Sequence, residues 1–174
     1  PGFARIGLAI VDLKPDREVV ERLTVFDTEK SAKKLDVRAS ADNFRRSREI
    51  ARHLLGVIID NEVGVVCTEA MSFARNAGTA HKVGLAWGVL AAICERQSLP
   101  LVQASPQAIK RVLCGRKDAS KGDVQLALRR RYAEVPDLLD PLRKGDLEHA
   151  ADALGAVVGC LDSEVVQMAR RSAA

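Results

Sequence analysis

Between Val63 and Ala104 the chain runs through a short apolar stretch, a long helical stretch and a second short apolar stretch. Val63 to Thr68 is too brief for a helix and too uniformly apolar for a surface strand, so it reads as a buried, parallel strand. Thr79 to Arg96 has the length of a helix, and Leu101 to Ala104 is again strand-sized. This order constrains the chain to an α/β architecture, with helices covering a sheet.

The flanking segments fit the same scheme. The Pro-Gly turn signal opens the sequence. Ile6 to Val11 and Arg22 to Phe26, separated by the turn-rich KPDRE, predict a hairpin. Asp42 to Asp60 predicts a helix whose apolar face carries Phe44, Ile50, Ala51, Leu54, Leu55 and Ile58. Pro106 should begin a short helix ending near Val112, and Ser120 with Asp123 resembles the capped start of another, ending at Arg129 to Arg131. Two final helices are expected over Leu147 to Leu161 and Ser163 to Arg171. Within the long central helix, Gly84 and Gly88 share a face that would let another backbone approach.

At 174 residues the sequence fits one domain over 1–174, with a core that needs no disulfide or structural metal. Aromatic residues are only 3% of the chain, so packing must rest on Ala, Val, Leu and Ile. Cys67, Cys94, Cys114 and Cys160 are widely spaced in apolar contexts, which predicts buried thiols and a cytoplasmic location. No continuous apolar run reaches the roughly 18 residues of a membrane span, so no membrane partner is expected. The net charge of +4 is gathered into RRSR at 45–48, RK at 116–117 and RRR at 129–131. Phosphate contacts and solvated helix faces are both open readings of these clusters.

Three stretches carry candidate chemistry. In VVCTEAMSF, Glu69 follows the buried strand at its carboxyl end, the edge where open α/β sheets bind ligands; an exposed loop glutamate is the competing reading. In GDLEHAADALGAVVGC, His149 and Asp152 share one helix face, and the small and aliphatic residues behind them allow close packing on a sheet. Together with Glu69 they could hold a divalent cation that positions water for phosphodiester attack. Asp146 is expected as the N-cap of this helix and Glu148, four from Asp152, as an exposed acid of its first turn, with a ligand role as the alternative. In SPQAIKRVLCGRKDASKGDV, Lys110, Arg116, Lys117 and Lys121 suit phosphate contacts or plain solvation equally.

In this order the stretches resemble the RuvC family of Holliday junction resolvases, within the RNase H-like superfamily. PGFARIGLAIV is similar to an Asp-Pro-Gly-x-x-x-x-Gly opening entered one residue late, and TEAMSFARNAGTAHKVGLAWGVL to the segment running from a metal-binding Glu into a long helix. Lys110 and Lys121 have the separation of two basic residues of the family, and EHAADALGAV resembles its carboxyl-terminal active-site helix. The resemblance implies an RNase H-like fold with a mixed central sheet flanked by helices on both faces. It implies Mg²⁺-dependent cutting of four-way DNA junctions by a homodimer that makes paired symmetric nicks in recombination and repair, with Mn²⁺ as a substitute metal. Glu69, His149 and Asp152 would then be catalytic metal ligands, and Lys110 and Lys121 would contact phosphate, joined in DNA binding by Phe73, Arg75, Arg116 and Lys117. A branch-migration complex of the RuvA/RuvB type is an expected partner.

Two departures matter. Where the family often carries an aromatic three residues after the metal-binding Glu, this chain has Ser72, so Phe73 would take the stacking role by a one-residue shift. The resemblance also expects a strand ending in a metal-binding Asp immediately before Pro1, and Asp12 is too far along the next strand to replace it. Two alternatives stand beside the resolvase: an RNase H-like nuclease acting on RNA or other branched DNA, for example from a phage, and a junction-binding protein with an incomplete site.

Overall fold

A computed structural model describes residues 2–32, 35–71 and 76–172. Strands β1 (Arg5–Leu13) and β2 (Glu18–Asp27) pair with each other, and β3 (Val66–Glu69) pairs in parallel with β4 (Leu101–Ala104). The helices are α1 (Ala39–Asp60), α2 (Ala77–Arg96), α3 (Pro106–Cys114), α4 (Lys121–Arg131), α5 (Val135–Leu139), α6 (Lys144–Cys160) and α7 (Glu164–Ser172). The chain groups into two compact units, one of Pro1–Ile6, Phe26–Val63 and Met71–Leu99, the other of Gly7–Val25, Gly64–Ala70 and Pro100–Ala174.

In the first unit α1 packs on α2. The buried stripe of α1 is Asp42, Arg46, Ile50, Leu54 and Ile58, whereas Phe44, expected on the apolar face, is 65% exposed. Two polar residues can occupy that stripe because both are fully engaged. Asp42 accepts hydrogen bonds from the backbone N–H and hydroxyl of Ser31 at 3.0 and 2.7 Å and from Arg45 at 2.8 Å. The Arg45 guanidinium, with Ser31, holds its carboxyl well below the usual range. Arg46 stacks 4.5 Å over the Phe3 ring and donates to the Thr28 hydroxyl at 3.0 Å, which itself donates to the Phe3 carbonyl at 2.7 Å.

Helix α2 begins at Asn76, whose side chain accepts from the Thr79 N–H at 2.8 Å. Gly84 and Gly88 are exposed, and a Cβ built at either meets nothing within 4 Å, so the expected backbone approach is not made among the described residues. The expectation that nothing in the chain has membrane-span dimensions is also amended. Over 20 residues with a mean hydropathy of 1.2, α2 is long and apolar enough to span a bilayer by length and composition alone. Its few charges sit near the ends, which a scan for uninterrupted apolar residues does not detect.

In the second unit β3 and β4 run in register, Val66 opposite Leu101 and Glu69 opposite Ala104, and the ladder is extended by Val66 N–H to the Pro100 carbonyl and Ala70 N–H to the Ala104 carbonyl. Glu69 is therefore the last residue of the strand and not the first beyond it. Helix α6 packs on β3, β4, α3 and α4. The close approach that the sequence reading placed on α2 is made here instead. A Cβ at Gly159 would lie 2.8 Å from the Ala104 Cβ and 2.7 Å from Ile109 Cγ1, and one at Gly7 on β1 would lie 1.8 Å from the His149 carbonyl oxygen. Leu128, Val135, Leu139, Leu154, Val158 and Val166 are fully buried around this helix.

Helix α5 has no counterpart among the elements expected from the sequence. Pro136 at its start is the available signal, and the helix exists because Val135 and Leu139 enter the core while Glu134 accepts the Val20 N–H at 2.7 Å. Helix α7 is tied down by Arg170 on Glu18, which Arg131 also approaches at 3.4 Å. Burial would raise the Glu18 carboxyl, but these two guanidiniums outweigh it and hold it below its ordinary value. All four cysteines are free, and Cys67 hydrogen-bonds Cys160, which together with burial pushes the Cys67 thiol up.

Gly7→Ala should therefore lower stability by more than about 2 kcal/mol, because the methyl displaces backbone and not a flexible side chain. Gly56→Ala in α1, where a Cβ meets nothing within 4 Å, should instead raise it by about 0.5–1 kcal/mol. Urea unfolding of both variants measures the contrast.

Candidate active site

The second unit brings five of the predicted residues into one electrostatic neighbourhood. Glu69 stands half-buried at the end of β3, His149 and Asp152 lie on α6, Lys110 on α3 and Lys121 at the first position of α4. Burial pushes the Glu69 carboxyl above its ordinary value, and the negative charge of Asp152 adds to the shift, while Lys121 and Lys110 oppose it. Asp152 retains solvent-exposed surface, yet enough of the chain surrounds it for desolvation to raise its carboxyl too, against the pull of Lys121, His149 and Lys110. Two partly desolvated carboxylates that repel one another form a site that a cation would relieve.

That arrangement fits a divalent metal in its donor chemistry. Mg²⁺ is commonly held by one or two carboxylates with water completing the shell, and Glu69 and Asp152 supply two hard oxygen donors from separate elements. Among the described residues no three His, Cys, Asp or Glu side chains come close enough to enclose an ion. The imidazole of His149 lies near enough to Asp152 to lower its carboxyl, without the two and Glu69 forming a closed cage among the described residues.

Local sequence explains how each group is placed. Ser120 and Asp123 form a reciprocal capping box, with the Ser120 hydroxyl accepting the Asp123 N–H at 3.1 Å and the Asp123 carboxylate accepting the Ser120 N–H at 2.8 Å. This fixes the backbone under Lys121. Ser105 caps α3, Pro106 starts it, and Gly115 ends it at a φ of 72°, setting the orientation of Lys110. Asp146 is not the N-cap of α6. Arg143 occupies that position, and Asp146 sits in the first turn, 5% exposed, accepting from Arg143 Nε at 2.6 Å. The helix starts earlier than expected because this ion pair closes its first turn.

The basic clusters divide on inspection. Arg45 is spent on Asp42 and Glu49, and Arg46 is buried, so most of RRSR is internal structure. Arg129 pairs with Asp140 at 2.7 Å and Arg131 with Glu18. Arg116 donates to Asp123 at 2.7 Å, which couples it to the α4 cap, whereas Lys117 is exposed. Phe73 and Arg75 lie outside the described residues. Glu148, expected as a free surface acid, hydrogen-bonds the Lys121 ammonium, a contact between α6 and α4 that spacing within one helix could not disclose.

Comparison with known proteins places this geometry in context. Residues 1–160 match the family model for crossover junction endodeoxyribonuclease RuvC. A Synechococcus protein of that name is 31% identical over 163 residues, covering 91% of this chain and 92% of its own length. Another from Natranaerobius thermophilus is 29% identical over 157 residues, covering 88% and 86%. A solved structure of T. thermophilus RuvC in complex with Holliday junction substrate superposes with a TM-score of 0.74 at 24% identity, covering 99% of this chain and 93% of that one, and shows that the fold is the same. With the family model spanning nearly the whole sequence, the chain belongs to the RuvC family of crossover junction endodeoxyribonucleases.

Proposed function

We propose that this chain resolves four-way DNA junctions by hydrolysing a phosphodiester in each of two strands, with Glu69 and Asp152 holding a divalent cation, Mg²⁺ or Mn²⁺. The observation that carries this reading is the placement of Glu69 at the end of β3 and Asp152 on α6, which packs on that strand, within electrostatic reach of each other and of Lys110 and Lys121. A bound divalent cation supplies Lewis-acid polarisation of the scissile phosphate. Glu69 and Asp152 orient the attacking water, and His149 holds or carries a proton beside them. Lys110 and Lys121 bind the phosphate oxygens on which negative charge develops.

Paired symmetric nicks call for two active sites, so the resolvase reading implies a homodimer. The exposed small-residue face of α2, with Gly84 and Gly88 open, is the surface we assign to a second copy, since the helix is apolar and most of it is not buried within the chain. A branch-migration complex of the RuvA/RuvB type would present the junction. Four free thiols fit the reducing cytoplasm.

Glu69→Gln and Asp152→Asn should each reduce cutting of a mobile four-way junction by at least about 100-fold while junction binding persists. Equal cutting of duplex, flap or RNA substrates by the wild type would replace the resolvase reading with a broader nuclease. Because both carboxyls are raised in the folded state, the charged forms oppose folding, and that penalty disappears as pH falls below the ordinary carboxylate range. Glu69→Gln should accordingly raise the urea midpoint at neutral pH without added metal, with the difference closing as pH falls through that range. Gly88→Glu should convert the dimer to monomer in light scattering while leaving the circular dichroism unchanged.

A further inference from the structure

Lys121, like Lys110, acts on both carboxylates of the site. It opposes the raised carboxyls of Glu69 and Asp152, and its ammonium is hydrogen-bonded to Glu148, the residue before His149 on α6. The side chains of Lys121 and Glu148 are 65% and 43% exposed. An ion pair that open to solvent contributes only about 0–1 kcal/mol, so it is readily exchanged. The backbone beneath Lys121 is held by the Ser120–Asp123 capping box. Any change of partner must therefore be made by the flexible lysine side chain and not by movement of α4.

We propose that Glu148 occupies, on Lys121, the place of a DNA phosphate, so that junction binding exchanges a carboxylate for a phosphate at the Lys121 ammonium. Glu148 is then a positioning residue. In the free protein it holds Lys121 beside the two carboxylates without letting the ammonium collapse onto them, and it yields when the denser charge of the DNA backbone arrives. The exchange makes wild-type affinity lower than it would be with Lys121 unengaged, by the worth of one exposed pair. This inference rests on the resolvase reading above.

The test is a double-mutant cycle on the full chain, with fluorescence anisotropy of a labelled four-way junction in EDTA. Glu148→Gln should tighten binding about two- to fivefold, the fold-change equivalent to an exposed ion pair. Lys121→Ala should weaken binding and reduce the slope of log affinity against log salt by about one. In the Lys121→Ala background, Glu148→Gln should change affinity by less than half as much in logarithmic terms. Asp162→Asn, which removes the same charge from an exposed position just beyond the carboxyl end of α6, serves as the control for long-range repulsion and should tighten binding less than Glu148→Gln. Weaker binding by Glu148→Gln, or an equal gain with and without Lys121, overturns the proposal. If the wild type fails to prefer the four-way junction over duplex, the resolvase reading fails, and this inference fails with it. A wild type that does prefer the junction, with no gain from Glu148→Gln, defeats this inference alone.

Discussion

Helix α6 is seated through a glycine at two places. Gly7 brings the β1 backbone against the His149 carbonyl, and Gly159 brings the helix against Ala104 and Ile109. Protein interiors are packed densely enough that an added methyl there must displace something. Seated in this way, α6 cannot shift or roll without opening voids beneath Leu154 and Val158, both fully buried. The orientation of His149 and Asp152 relative to the end of β3 is a consequence of that seat. The candidate pair is thereby carried on a helix held by close packing.

The charges follow a related economy. Most arginines of the sequence clusters serve the structure: Arg46 stacks on Phe3, Arg131 joins Arg170 of α7 on Glu18, and Arg116 reinforces the α4 cap. Lysines occupy the site instead. A flexible ammonium can change partner at small cost, whereas a guanidinium fork in several directed hydrogen bonds cannot. Lys121 on Glu148 and Arg46 on Thr28 and Phe3 show the two behaviours in one chain.

The same division explains what could be read beforehand. Glu69, His149, Asp152, Lys110 and Lys121 were legible because strand end, helix spacing and helix start are local properties, and the structure places them in one unit. The elements were legible for the same reason, apart from α5, whose five residues are too few to show a period. Phe44 was misplaced because hydrophobicity was counted without asking which polar residues had partners, and Asp42 and Arg46 owe their burial to Ser31, Thr28 and Phe3.

The sequence by itself determined the α/β order, the start of α3 at Pro106, the cap at Ser120 and the candidate side chains of the site. Each of these depends on residues within a turn or two of one another, where backbone geometry fixes the outcome. Only the tertiary structure decided which glycines admit a neighbour, which cations are already spent, and that Glu148 meets Lys121. Those outcomes depend on elements distant in sequence, Gly7 with His149 and α4 with α6. No local pattern encodes them, because space and charge are settled by whatever the fold brings alongside.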